Sequence, residues 1–178
     1  MITLLLVLFA VIAMGTLFTF VRGAVPQSES ITNLESLLHP VDLSAFLNLT
    51  NLQETEFLHS TLAPASFRRL HRHRTLVALK YLKSLSWNAA VLLRCGELAR
   101  RSSDQQVAEA GRELADTALR TRILVLRAYL KLAPQVLIPS HYGASYPELI
   151  SDYAELKQRF GLLASREPLT ERRYLSQT

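Results

Sequence analysis

AAVLLRCGELARRSSDQQVAEAGRELADTA, residues 89–118, decides the fold. Two segments with apolar residues at helical spacing flank a polar break, Ser102-Ser103-Asp104-Gln105-Gln106. A serine followed three positions later by glutamine resembles a capping box, so one helix ends near Arg101 and another starts near Asp104. Upstream, Pro64 suits the first turn of a helix, where its missing N–H costs nothing. The stripe Phe67, Leu70, Val77, Tyr81, Leu85, Ala89, Leu92, Gly96, Ala99 then predicts a helix over about 65–101. It would be a rod of roughly 54 Å at 1.5 Å per residue. Downstream, Val107, Ala110, Leu114, Ala118, Thr121, Val125, Tyr129 and Leu132 predict a second helix over about 104–133, which Pro134 must end or kink. A short break between two long helices implies an antiparallel hairpin.

The two stripes agree across the turn. Gly96 falls opposite Ala110 and Gly111, Leu92 opposite Leu114, and Ala89 opposite Ala118. Small residues face small ones at two levels, with a leucine layer between, so the backbones can approach closely.

A third helix is expected over about 146–163. Ser145 with Glu148 forms a capping signature, Pro147 sits in the first turn, and Leu149, Tyr153, Leu156, Phe160 and Leu163 make an apolar seam. The polar tail at 165–178 should fray. Residues 27–63 carry too many leucines, isoleucines and phenylalanines for a disordered linker. Thr32 with Glu35, and Asn51 with Glu54, offer polar starts for short helices, with breaks near His39-Pro40 and Asn48–Asn51. No stretch alternates like a strand. The expected class is all-α: an N-terminal transmembrane helix, then a helical domain over 23–164 built on the long antiparallel hairpin.

The transmembrane expectation rests on MITLLLVLFAVIAMGTLFTFV, residues 1–21, which carry no charged side chain and are closed by Arg22. About twenty apolar residues cover the ~30 Å hydrocarbon core of a bilayer. A cleaved signal peptide would have a basic start, a shorter apolar run and small residues before the cut. The expected arrangement is therefore an uncleaved signal-anchor, single-pass, with residues 1–22 in the membrane. Arg22 alone biases the helical domain to the cytoplasmic side. The single cysteine, Cys95, cannot form an internal disulfide, which fits a reducing compartment. The sequon Asn48-Leu49-Thr50 is read as a chance triplet. A second span over Ile123–Pro139 is disfavoured, because Arg127 and Lys131 would each cost about 2.5–3.5 kcal/mol near a bilayer centre. That stretch reads instead as a helix buried on most of its circumference, with Arg120, Arg127 and Lys131 on one exposed ridge.

Charge is unevenly laid out. Residues 23–64 hold five acids (Glu29, Glu35, Asp42, Glu54, Glu56) and no Lys or Arg, whereas residues 65–101 hold nine bases and one acid, Glu97. The densest cluster is Phe67-Arg68-Arg69-Leu70-His71-Arg72-His73-Arg74. Arg68, Arg69, Arg72 and Arg74 could grip anionic lipid head groups or an acidic partner. They could equally be neutralised by the acidic segment before them. Nucleic acid is disfavoured, since no aromatic platform accompanies the arginines.

His71 and His73 point about 200° apart on a helix and cannot clamp one metal ion. Cys95 reads as a small core filler. Gly143-Ala144-Ser145-Tyr146-Pro147 lacks the second glycine and preceding strand of a nucleophile elbow. No catalytic residue, cofactor site or metal site is assigned. The expected function is a membrane-anchored interaction or scaffold protein, not an enzyme, that binds a protein partner or a second copy of itself. The alternatives are peripheral recognition of anionic lipid by the arginine cluster and an enzyme of unknown class.

Overall fold

The computed structural model describes residue 34, residues 36–137 and residues 146–175, with side chains through Ser165. The 1–22 anchor, the Thr32–Glu35 helix start and the Ser145 cap lie outside the described residues. The elements are α1 (Leu43–Leu49), α2 (Leu52–Thr61), α3 (Pro64–Ala99), α4 (Gln105–Leu132), a 3-10 turn (Ala133–Val136) and α5 (Pro147–Leu175). No strand occurs among the described residues, and the chain is all-α. Among them, too, no helix is long and apolar enough to cross a membrane.

Local chemistry fixes the helix ends. Asp42 caps α1 by accepting from the Ser44 and Ala45 N–H groups, and Asn51 caps α2 by accepting from the Glu54 N–H. Pro64 opens α3 as expected. At the hairpin turn Asp104, not a serine, caps α4, accepting from the Gln106 and Val107 N–H groups. Ser102 instead accepts from the N–H of Asp104 itself. A carboxylate satisfies the same orphan donors as a hydroxyl and adds a favourable charge at the positive end of the helix. At the far end, α4 stops at Leu132, and Pro134 converts the chain to the 3-10 turn.

Among the described elements, the antiparallel pairing of α3 and α4 is the most extensive contact. Its register is close to the expected one but shifted. Gly96 seats between Gly111 and Ala115: a Cβ at Gly96 would stand 2.7 Å from both the Gly111 carbonyl oxygen and the Ala115 nitrogen. Gly111 in turn lies against Ala99 and Arg100. Ala110, expected in the seam, is only half-buried, and Ala115 takes its place. Leu92, Leu114, Ala89 and Ala118 are all buried, as the leucine layer requires.

The first half of α3 is turned relative to the expected stripe. Its core face is Phe67, His71, Thr75, Ala78, Leu82 and Leu85, while Leu70 is exposed and Val77 half-buried. Two polar residues thus sit on the buried side. Thr75 does so at low cost because its hydroxyl donates to the His71 carbonyl at 2.8 Å.

Helix α5 lies on α4 and touches α3, burying Leu149, Tyr153, Leu156, Phe160 and Leu163 as its seam predicts. It continues to Leu175, past the end expected near Ala164. The seam stops at Leu163, and the helix runs on through Pro168, which removes one backbone hydrogen bond from it. Arg159 links the two helices, donating to Glu113 on α4 at 2.5 Å and to Glu155 on its own helix at 2.8 Å.

Helices α1 and α2 lie along α3. Phe46 of α1 is fully buried, in ring contact with Tyr81 and Tyr146. The segment before α1 is tied to the middle of α3. Trp87 Nε1 donates to the Leu37 carbonyl at 2.9 Å. Asn88 accepts from the His39 N–H at 2.8 Å and donates to the His39 carbonyl at 2.8 Å. The same Asn88 amide donates to the Tyr153 hydroxyl of α5 at 2.7 Å.

Candidate functional site

The arginine cluster occupies the first turns of α3, and its surroundings sort the four side chains. Phe67 anchors this end of the helix, its ring edge-on to His59 of α2 and stacked on His71. With Phe67 and His71 turned inward, Arg68, Arg69, Arg72 and His73 face solvent. Arg74 does not. Its guanidinium grips Glu54 in two parallel hydrogen bonds of 2.7 and 2.9 Å and donates to the Asn48 carbonyl at 2.8 Å. The last carbonyls of α1 thereby gain a cationic donor at the negative end of that helix, and α1, α2 and α3 are joined at one point. The Arg74 side chain keeps only 13% of its exposure, so it is a structural residue.

Among the described residues, the expected neutralisation by the acidic segment is seen in this pair. Asp42 is engaged as a helix cap, Glu56 is exposed on α2, and Glu29 and Glu35 lie outside the described residues.

The hydrogen bond from Arg74 holds the Glu54 carboxyl below its ordinary value of 4.5. A carboxyl lowered in the folded state stabilises above its unfolded pKa, and that contribution is lost as pH falls through the folded one. Thermal unfolding of Glu54→Gln should therefore lie below the parent at pH 6, with the gap closing below about pH 4.5. Because Glu54 stays half exposed, the gap should not exceed about 1 kcal/mol. A gap constant from pH 6 to pH 3 would remove Glu54 from the acid response.

A recess at His71, bordered by Thr50, Thr55, Arg74 and Thr75, holds about 20 Å³, room for roughly one water molecule. A larger cavity of about 370 Å³ opens between the C-terminal half of α4 and the start of α5, lined by Leu124, Arg127, Ala128, Lys131, Tyr146 and Leu149 among others. Burial pushes the Tyr146 phenol there up to about 12. Neither space contains Cys95, which is fully buried in the hairpin core. Among the described residues no three His, Cys, Asp or Glu side chains converge as a metal site would need.

A surface that the sequence reading missed lies on α4. Leu119, Ile123 and Leu130 remain 51, 47 and 46% exposed, and Leu126 between them is half-buried. At about 100° per residue, these four share one side of the helix, turned some 150° from the row that meets α3. The expectation that the stretch Ile123–Pro139 is buried on most of its circumference is thus corrected over its described residues, where Ile123, Leu130 and Leu137 stand exposed. Arg120, Arg127 and Lys131 are exposed as expected, but an apolar row stands exposed beside them. Arg120 reaches toward Asp152 of α5 at 3.6 Å. The signal is present as a second apolar row at four-three-four spacing, on the side of the helix away from α3. No family model, curated protein or solved structure matches this chain.

Proposed function

We propose that this protein is a membrane-tethered, non-catalytic helical interaction module. Residues 1–22 are its anchor, the helical domain stands on the cytoplasmic side, and the outer face of α4 is the contact surface. One observation carries the reading: exposed Leu119, Ile123 and Leu130, with half-buried Leu126 between them, on a helix whose opposite face already fills the core. Contiguous exposed leucine and isoleucine on a small domain mark a surface meant to be covered.

The test uses the full chain extracted from its native membrane in mild detergent. The parent should sediment as part of a larger species, and Leu119→Ser with Ile123→Ser and Leu130→Ser should release it. These side chains are half exposed, so each change should cost little stability, within about 1 kcal/mol. A parent that sediments as a lone chain sinks the reading.

A second reading has its own support. Recognition of anionic lipid by Arg68, Arg69, Arg72 and Arg74 keeps three exposed guanidiniums after Arg74 is set aside for Glu54. Each basic side chain near an anionic surface contributes about 1 kcal/mol, so three give roughly hundredfold. In the full chain reconstituted in phosphatidylserine nanodiscs, residues 65–76 should gain hydrogen-exchange protection absent in phosphatidylcholine. Replacing Arg68, Arg69 and Arg72 by alanine should abolish the difference, and protection equal in both lipids ends the idea.

A further inference from the structure

We infer that the partner of the α4 face is an acidic amphipathic helix; this rests on the interaction-module reading and specifies its ligand. The first argument is spacing. Leu119, Ile123, Leu126 and Leu130 recur at intervals of four, three and four and fall within about 60° of arc. A bilayer-lying helix presents a broad apolar face, whereas so narrow a row is the seam of helix-on-helix contact. In heptad terms Ile123 and Leu130 occupy a positions and Leu119 and Leu126 occupy d positions, the choice that suits a paired helix. The seam is short, about 18 Å, so it fits docking of two heptads rather than a long coiled coil.

The second argument is charge. The e positions beside the seam are Arg120 and Arg127, both exposed, and Arg122 and Tyr129 fill the g positions. From Thr117 to Pro147 the sequence contains no Asp or Glu. A second copy of this chain would set arginine rows against each other, whichever way the helices ran, and like charges across a seam oppose pairing. A helix carrying glutamate along its edges meets both requirements at once. The 3.6 Å approach of the largely buried Asp152 to the exposed Arg120 shows that this row already has a carboxylate beside it.

The experiment measures fluorescence anisotropy with the full chain in a neutral detergent and two labelled peptides of about three heptads. Both peptides share an Ile/Leu seam; one carries glutamate at its e and g positions, the other lysine. The glutamate peptide should bind about tenfold or more tighter than the lysine peptide, and added salt should narrow the gap. Arg120→Glu with Arg127→Glu should reverse the preference, and Ile123→Ser should weaken the binding of both peptides. Equal binding of the two peptides, or none, overturns the proposal. So does self-association lost in Ile123→Ser, which assigns the seam to a second copy. Cross-linking of residues 1–22 to Leu130→Cys assigns it to that segment, and protection of α4 by anionic vesicles without peptide binding assigns it to lipid; either result also overturns the proposal. If the native complex depends on the seam but ignores charge reversal, only the acidic partner falls and the interaction module stands.

Discussion

Gly96→Ala is expected to lower the unfolding free energy by about 2 kcal/mol, whereas Gly161→Ala is expected to raise it by up to about 1 kcal/mol. The chemistry is identical and both glycines are helical, so the sign is decided by what the new methyl meets. At Gly96 it would lie 2.7 Å from the Gly111 carbonyl oxygen and the Ala115 nitrogen, backbone atoms that cannot rotate away. The two helices must separate at that level and loosen the leucine layer beside it. Such overpacking costs about 3 kcal/mol, against which the better helix propensity of alanine returns about 1. At Gly161 nothing stands within 4 Å, so only the propensity gain remains. Melting temperatures should move in opposite directions, by roughly 4–8 °C down and 2–4 °C up. Gly111→Ala should behave like Gly96→Ala, because its methyl would meet the Arg100 nitrogen at 2.6 Å. The double variant should cost less than the sum, since a seam opened once admits the second methyl more easily. A neutral Gly96→Ala would mean that the hairpin does not close to this distance.

What the sequence made legible follows how each element is stabilised. Helix α5 buries one regular apolar row, and periodicity alone locates it. Ala89, Leu92, Leu114 and Ala118 were legible for the same reason, since nothing polar interrupts them. The first half of α3 was not. His71 and Thr75 hold its core face, and periodicity cannot reveal that a threonine hydroxyl is satisfied by its own helix. At the hairpin turn the serines and Asp104 have similar capping power, and only geometry selects Asp104. The arginine run was visible as a run, but Arg74 is withdrawn from it by Glu54, twenty positions away in the sequence. The exposed row on α4 escaped for the opposite reason. Apolar spacing shows that a face wants covering, while only the placement of α3 and α5 shows that none of their side chains reaches it.

Asn88 gave no sequence signal at all, yet Asn88→Ala should be among the costliest substitutions in the chain. This single amide makes three of the bonds that hold the molecule's layers together. It clamps both backbone groups of His39 and reaches the Tyr153 hydroxyl on α5. Removing it strands the Tyr153 hydroxyl in a buried site, a penalty of about 1–3 kcal/mol. The lost bonds to His39 add about 1 kcal/mol more, moderated because water can reach that segment. Tyr153→Phe should cost less, about 1–2 kcal/mol, and the double variant should fall short of the sum, since the two share a bond. The chain's only tryptophan, Trp87, holds the same segment through the Leu37 carbonyl and stacks on His39. Its emission should shift to the red in Asn88→Ala before the helices unfold. Asn88→Asp separates hydrogen bonding from volume, because the two side chains are nearly isosteric. At neutral pH the carboxylate can accept from the His39 N–H but cannot donate to the His39 carbonyl. Protonation restores a donor, so the carboxyl introduced there should have its pKa raised in the folded state, and Asn88→Asp should regain stability relative to the parent as pH falls through that value. An acid-independent deficit would mean that Asn88 acts by filling space and that the clamp lies elsewhere.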